Sequence, residues 1–119
     1  MFKYYNRNPR KEKLPDCVCR AISLATESEY ADVMRLLQRN GGAYNCDELC
    51  VDCYSQMLDD IGYKRCDAQT KTVGEIAEEH PDKRLLVRIK GHLTCCVDGT
   101  CYDIWDCTQE TADIYWVVE

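Results

Sequence analysis

A cysteine and a histidine that could form a nucleophilic pair stand far apart in this chain. Cys17 directly follows Asp16, a residue type that often caps helices, so we expect Cys17 in the first turn of a helix. The positive end of a helix dipole lowers the pKa of a thiol and favours the reactive thiolate. His92 opens a strand-like run in the C-terminal part of the chain. The two residues therefore predict thiol-based nucleophilic chemistry.

Two aspartates that follow His92 could orient its ring. The dipeptide Asp98-Gly99 predicts a two-residue turn, so the chain after it should run back beside His92. In that hairpin Asp103 is a diagonal neighbour of His92 on the same face, and Asp106 lies just past the strand end. Either carboxylate could accept the imidazole N–H and leave the other ring nitrogen for the Cys17 thiol. The candidate catalytic residues are Cys17, His92, Asp103 and Asp106.

The other cysteines and the second histidine have structural interpretations. The chain contains 10 cysteines and only two histidines. Without a recognisable secretion signal, most of these cysteines are expected to be reduced thiols that pack as small hydrophobic groups. His80 falls at an expected helix end, where a positive ring suits the dipole. We therefore expect no metal and no cofactor.

A small zinc-binding module is kept as an alternative. Three cysteines, Cys46, Cys50 and Cys53, share one helix face, and Cys66 or His80 could add a further ligand. The same spacing is typical of the core face of a helix. The spacing alone does not decide between these two interpretations.

The predicted secondary structure that positions these residues changes from helices to strands along the chain. Helices are predicted over residues 17–26, 29–39 and 46–60 and from Thr72 to about residue 79, with Gly41-Gly42 ending the second. Strands are predicted over residues 63–66, 85–89, 93–97, 100–105 and 114–118. The first fifteen residues are expected to be irregular. Helices first and strands after predict one α+β domain over residues 1–119, with N-terminal helices packed on a C-terminal antiparallel sheet.

Composition limits the kind of partner. The net charge of −6 argues against nucleic acid, because phosphates are bound by clustered lysines and arginines. No segment approaches the ~18 consecutive apolar residues that a membrane span needs, so we expect no membrane contact. The N-terminal residues lack the apolar run of a signal peptide, which predicts a cytoplasmic protein. The sequence says nothing about the oligomeric state.

Two short motifs resemble the papain-like cysteine peptidases. Asp16-Cys17, with a small residue a few positions on, is similar to the Asp-Cys-Gly of bacteriocin-processing peptidases, which share that fold. Asp103-Ile104-Trp105 is similar to the Asn-Ser-Trp of papain-type enzymes, whose Asn orients the histidine and whose Trp shields that contact. The resemblance implies a minimal papain-like fold. It also implies a thiol hydrolase acting on amide, isopeptide or related acyl bonds of a protein or peptide substrate.

The chain as a whole resembles small proteins of bacteriophages and their Gram-positive hosts. Those proteins begin with an Asn-Arg-Asn-Pro-like segment and a Gly-Asp-Cys-x-x-Arg-Ala helix, and end in Gly-His-Leu-Thr-x-x-x-Asp-Gly-x-x-Tyr-Asp-x-Trp-Asp. The matching residues here run from Asn6 to Ala21 and from Gly91 to Asp106. This resemblance implies a phage protein. It also leaves open a non-catalytic alternative, an inhibitor that binds a host protein by contact alone.

The chain departs from the papain pattern at the oxyanion-hole donor. Papain-like enzymes place a Gln six residues before the nucleophile, where this chain has Lys11, and no Gln precedes Cys17. Asn6 or Asn8 could donate instead, or Lys11 could place its ammonium there, together with the backbone N–H of Cys17. Loss of one such donor lowers turnover by about 10²–10³-fold. The departure therefore predicts a slow enzyme or an inactive relative.

Overall fold

The computed structural model describes residues 1–11, 16–43 and 51–119, with residues 41–43 described by their backbone alone. In chain order the described elements are β1 (Phe2–Tyr4), α1 (Cys17–Ala25), α2 (Tyr30–Ala43), α3 (Val51–Ile61), β2 (Lys64–Asp67), α4 (Val73–Glu79), β3 (Arg84–Ile89), β4 (His92–Val97), β5 (Thr100–Asp103) and β6 (Ile114–Val117). Helices lie mostly in the N-terminal half and strands in the C-terminal half. The predicted α+β class is confirmed.

The strands form one six-stranded sheet in the order β1-β5-β4-β3-β6-β2. Neighbouring strands are antiparallel except β1 and β5, which pair in parallel with Phe2 opposite Cys101. The sheet is therefore mixed, and the prediction of a purely antiparallel sheet is wrong at this edge. The prediction that the first fifteen residues are irregular is wrong at β1. This strand has only three residues and two of them are exposed, so its sequence shows no alternation.

The hairpin of β4 and β5 has the predicted register. Val97 pairs with Thr100 across the turn. Asp98 and Gly99 have φ angles of 51° and 82°, the left-handed conformation that a tight hairpin turn requires at both central positions. The turn thereby brings the first residue of β4, His92, and the last residue of β5, Asp103, to the same end of the hairpin.

The two faces of the sheet carry separate hydrophobic clusters. Side chains of α1 and α3 pack on one face around Leu86, Leu93 and the fully buried Trp116. On the other face, residues of α4 pack on Leu85 and Val87. The side chains of β3 alternate between the two clusters, as expected for a strand covered on both faces. Because α1 packs mainly on β4, the start of the helix lies beside the start of that strand.

Several predicted boundaries differ from those observed. Helix α2 continues through Gly41-Gly42 to Ala43, so the prediction that the glycines end it is wrong. The described part of α3 begins at Val51, and the predicted start at residue 46 lies outside the described residues. Helix α4 begins with the predicted capping box, in which Thr72 and Glu75 each bond the other's backbone N–H at 2.9–3.2 Å. Among the described helices none has the length and apolarity to cross a bilayer.

Candidate active site

Cys17 is the first residue of α1, and its side chain is partly exposed. The carboxylate of the preceding Asp16 makes no capping bond to the helix, so the predicted capping interaction is wrong. Instead that carboxylate accepts hydrogen bonds from Arg20 Nε at 2.8 Å, Tyr30 Oη at 2.6 Å and Asn8 Nδ2 at 3.1 Å. These three donors, one of them the buried guanidinium of Arg20, bind the Asp16 carboxylate in place of the helix N–H groups. The first N–H groups of α1 are therefore not capped by the Asp16 side chain, and they lie beside the Cys17 thiol.

His92 and Asp103 form a short, buried pair. His92 Nε2 lies 2.6 Å from Asp103 Oδ2, and the two side chains are 10% and 5% exposed. The other carboxylate oxygen, Oδ1, accepts the backbone N–H of Ile104 at 2.7 Å. A carboxylate at Nε2 keeps a proton on that nitrogen in the neutral ring, which leaves Nδ1 for the thiol. The structure thus brings Asp103 to the position that the hairpin register predicts.

The Cys17 thiol and the His92 ring line the same cleft. Burial by itself raises the pKa of Cys17, but hydrogen bonds from His92 and from the backbone N–H of Leu93 oppose it. The positive charges of His92 and Arg20 act in the same direction, and the pKa of Cys17 is lowered overall. A lowered pKa increases the thiolate fraction at neutral pH, which is the nucleophilic form.

The His92 ring is held in its charged form. Burial by itself lowers its pKa, but hydrogen bonds with Asp103, Cys107 and Cys17 and the charge of Asp103 raise the pKa of His92 to about 11. Burial by itself raises the pKa of Asp103, but the bond with His92, the charge of His92 and further hydrogen bonds together hold it below its ordinary value. These directions favour a thiolate, an imidazolium and a carboxylate in contact at neutral pH.

Trp105 lies against the His92 ring, with the ring centroids 5.1 Å apart and the planes at 54°. Its side chain is 41% exposed, so it stands between the imidazole and solvent. A covering aromatic ring lowers the local dielectric constant and strengthens the hydrogen bond between His92 and Asp103. This is the shielding position that the resemblance to papain-type enzymes implies for Trp105.

The structure does not bring Asp106 to the ring. Strand β5 ends at Asp103, and the exposed carboxylate of Asp106 accepts the backbone N–H of Thr108 at 3.0 Å and its hydroxyl at 2.6 Å. Both bonds lower the pKa of Asp106 and belong to a local turn. Of the two candidate acids, Asp103 is therefore the one that contacts His92.

The side chains considered as oxyanion donors hold the N-terminal segment together. Asn8 is buried and donates to Asp16, while its backbone N–H bonds the side-chain oxygen of Asn6 at 3.0 Å. Lys11 Nζ donates to the backbone oxygen of Asn6 at 2.8 Å and lies 5.7 Å from the centre of the Tyr5 ring. The structure thus uses Asn8 and Lys11 away from the thiol. Asn6 and the backbone N–H groups at the start of α1 remain candidates for that role.

A cleft of about 270 Å³ opens beside Cys17 and His92. Its other lining residues are Val18, Val51, Tyr54, Gly91 and Leu93. Gly91 has a φ of 69°, and among the described residues outside its chain neighbours no heavy atom lies within 4 Å of the position that a Cβ would take. The described residues therefore leave space for an incoming chain next to Gly91.

Three ligand atoms at the site could also hold a metal ion. His92, Asp103 and Cys107 each offer one atom, and these atoms lie within 4.8 Å of one another. Cys107 is fully buried, with its sulfur 3.9 Å from Asp103 Oδ2. The guanidinium of Arg20 lies 3.6 Å from the other oxygen of Asp103 and disfavours a second cation there. The sequence analysis missed Cys107, which has no motif of its own.

Part of the zinc site that the sequence suggests lies outside the described residues. Cys46 and Cys50 lie outside the described residues, and Cys53 is disulfide-bonded, so it offers no free thiolate. Seven other described cysteines are free thiols, as predicted for most of them. His80 caps the end of α4, with Nδ1 2.9 Å from the backbone oxygen of Ile76. This is a structural role, as expected.

Arg20 is the main residue of the site that the sequence analysis missed. It is buried and contacts both Asp16 and Asp103. Its spacing of four residues from Asp16 on a helix is typical of an ion pair, and this signal was available in the sequence. The contact with Asp103 depends on the packing of α1 against the hairpin and has no sequence signal.

Comparison of the chain with models of known protein families, with curated proteins and with solved structures found no match. Papain-like ancestry therefore stays a prediction from sequence motifs. The functional conclusion depends on the geometry of Cys17, His92 and Asp103.

Proposed function

We propose that this protein is a papain-like thiol hydrolase that cleaves amide, isopeptide or related acyl bonds. Cys17 is the nucleophile, His92 the general acid and base, and Asp103 the residue that orients His92. The observation that carries the proposal is the placement of one imidazole between an acid and a thiol. Asp103 lies 2.6 Å from Nε2 of His92, and Cys17 and His92 line the same cleft.

The reaction follows from the charges of the site. The Cys17 thiolate attacks the acyl carbon and forms a C–S bond, and the His92 imidazolium then donates its proton to the departing amine. The product is a thioester on Cys17. Neutral His92 next takes a proton from a water molecule that attacks the thioester, and Cys17 leaves as the thiolate. Both residues end in their starting forms.

The negative oxygen of the intermediate needs donors near Cys17. The backbone N–H groups at the start of α1 are free of a side-chain cap and lie at the positive end of the helix. With Asn8 and Lys11 bonded elsewhere, we propose these backbone groups as the donors for this step. We therefore expect turnover about 10²–10³-fold below that of an enzyme with a complete oxyanion hole.

The partner and the cellular location remain as the sequence predicts them. We propose a protein or peptide substrate, a host protein included, and no nucleic acid. A cytoplasmic location suits a nucleophilic thiol, which must stay reduced, and seven of the eight described cysteines are free thiols, with Cys53 disulfide-bonded.

Acyl-enzyme formation tests the proposal. The full chain is incubated with peptide p-nitrophenyl esters, which are generic acyl donors, and its intact mass is measured over time. We expect one acyl group on the wild-type chain and none on Cys17→Ala or His92→Ala, with folding checked by circular dichroism. Asp106→Asn serves as the matched control, because that carboxylate lies outside the site. Equal acylation of wild type and Cys17→Ala would refute the proposal.

A non-catalytic binding protein is the second candidate function. The bond between Asn8 and Asp16 favours it, since it removes one of the amide side chains upstream of Cys17 from the oxyanion role. The same experiment separates the two candidates. A chain in which small alkylating reagents modify Cys17 rapidly, but which never accumulates or hydrolyses an acyl group, would have the binding function.

A further inference from the structure

Arg20 is a buried cation that contacts carboxylates on two different elements. Its side chain is 8% exposed; Nε lies 2.8 Å from Asp16 Oδ1 and Nη1 lies 3.6 Å from Asp103 Oδ1. Asp16 immediately precedes the nucleophile Cys17, and Asp103 holds the ring of His92. A single planar group therefore connects the start of α1 with the end of β5.

We propose that Arg20 is a positioning residue, which sets the placement of Cys17 relative to the His92–Asp103 pair by joining Asp16 to Asp103. This inference deepens the proposed function and rests on it, because it concerns the same three side chains. Arg20 itself does not take part in bond making or breaking.

The local charges support this role. Two buried carboxylates, Asp16 and Asp103, and the Cys17 thiolate carry three negative charges, and the guanidinium of Arg20 and the imidazolium of His92 are the two positive charges that face them. Without Arg20, Asp16 would keep its hydrogen bonds with Tyr30 and Asn8 but would have no ion-pair partner among the described residues, and a buried carboxylate without a counterion is costly. The chain at Asp16 would then move toward solvent, and it would carry the adjacent thiol away from the ring.

The shape of the side chain supports it as well. The Nε and Nη1 atoms of Arg20 point at different carboxylates, and the rigid fork of a guanidinium fixes the angle between the two contacts. A lysine in the same place would supply the charge at one point and could not face both partners. The two contacts of Arg20 therefore depend on the shape of the guanidinium group as well as on its charge.

Other groups around the site bear on its titration. Cys17 faces His92 and the backbone N–H of Leu93, and it is influenced by the charge of Arg20. Cys107 and the backbone N–H of Ile104 face Asp103 from the chain that follows β5. None of these groups is altered in the variants below, so a change in titration reports on Arg20.

The test measures the alkylation rate of Cys17 by iodoacetamide as a function of pH, with peptide mass spectrometry to identify the modified residue. The variants are Arg20→Met and Arg20→Lys. Arg84→Met is the matched control. Arg84 also contacts α1, at the backbone oxygens of Leu24 and Ala25, and the variant loses these contacts at the opposite end of the helix from Cys17. Circular dichroism and a thermal melt establish folding of each variant.

We expect the midpoint of the rate profile to rise by about one pH unit in Arg20→Met, which is about a tenfold slower reaction at pH values below the midpoint. Arg20→Lys should give an intermediate midpoint, and Arg84→Met the wild-type midpoint. A wild-type midpoint in folded Arg20→Met would overturn the inference. If Arg20→Met does not fold, Arg20→Lys decides, and a wild-type midpoint in that variant would overturn it.

A second measurement separates this inference from the proposed function. His80 and His92 are the only histidines, so the imidazole ¹⁵N spectrum contains two rings and His80 is an internal reference. We expect Arg20→Met to shift the signals of His92 and not those of His80. If no acyl-enzyme forms yet Cys17 and His92 both respond, the hydrolase is refuted and the role of Arg20 stands. If acylation proceeds and neither responds, the role of Arg20 is refuted.

Discussion

Cys17 and Cys19 lie two residues apart on α1 and have opposite chemical environments. The Cys17 thiol is partly exposed and its pKa is lowered, whereas Cys19 is fully buried and its thiol donates to the backbone oxygen of Tyr30 at 3.4 Å. Burial, followed by the negative charge of Asp16, raises the pKa of Cys19 to about 12. A step of two residues along a helix turns a side chain to the opposite face, and that rotation separates the two thiols.

This difference predicts selective alkylation. With substoichiometric iodoacetamide at pH 7, Cys17 should react at least about 10²-fold faster than Cys19, since a thiol with a pKa near 12 has almost no thiolate at that pH. Mass spectrometry of the digested chain gives both rates. Cys19→Ala should retain fast labelling and Cys17→Ala should lose it. Comparable labelling of the two cysteines in the native chain would contradict the described environments.

Asp103→Asn should inactivate the site while Asp106→Asn should not. An amide at position 103 carries no charge, so the pKa of His92 would fall toward its ordinary value and the thiolate of Cys17 would lose its cationic partner. We expect acylation of Cys17 by p-nitrophenyl esters to slow by about 10²-fold or more in Asp103→Asn. Asp106 bonds only Thr108 among the described contacts, so its variant should match the wild type. A slow Asp106→Asn with a normal Asp103→Asn would reverse the assignment of the acid.

The charge of His92 predicts a dependence of stability on alkaline pH. The folded chain raises the pKa of His92 from 6.5 to about 11, so the folded state binds this proton more tightly than the unfolded state. The stabilisation is complete below pH 6.5 and is lost as the pH rises toward 11, with a slope of at most about 1.4 kcal/mol per pH unit.

The measurement is urea unfolding of wild type and His92→Gln at several pH values. The difference in their unfolding free energies should shrink between pH 6.5 and 11. His80→Gln is the control, and its difference from wild type should not follow this profile. A constant difference between wild type and His92→Gln over that range would show that His92 is not preferentially charged in the folded protein.

Zinc should bind the His92–Asp103–Cys107 group weakly. The bond between His92 and Asp103 occupies two of the three ligand atoms, and the charge of Arg20 opposes a divalent ion. We expect titration with ZnCl₂, followed by calorimetry, to give no submicromolar Kd for this site. Cys107→Ala and Cys66→Ala should therefore behave alike, since Cys66 lies on β2. A submicromolar Kd that Cys107→Ala alone abolishes would favour the metal-binding alternative.

The sequence predicts the parts of the site that depend on local rules. The Asp98-Gly99 turn fixes the pairing of β4 with β5, and alternation along the strands then puts His92 and Asp103 on one face. Cys17 follows from its place at a helix start. These relations need no knowledge of how distant elements pack.

Contacts between distant elements were not predictable in the same way. The local sequence around Asp16 favours a helix cap, but Tyr30 reaches its carboxylate only once α1 and α2 pack together. Cys107 reaches Asp103 through an irregular segment after β5 that carries no periodicity. Strand β1 is identified by its pairing with β5, because its own sequence shows no strand pattern.

The Asp98-Gly99 turn lies at the end of the hairpin away from the site, yet it determines where His92 and Asp103 lie. Counting back from that tip, β4 has six residues and β5 has four, so the imidazole and the acid lie on the same face as diagonal neighbours, two residues apart along the pairing. One inserted residue would invert every later side chain of the returning strand and carry the acid to the opposite surface. A change of strand register at this turn would thus inactivate the site, although all of its functional residues remained in the chain.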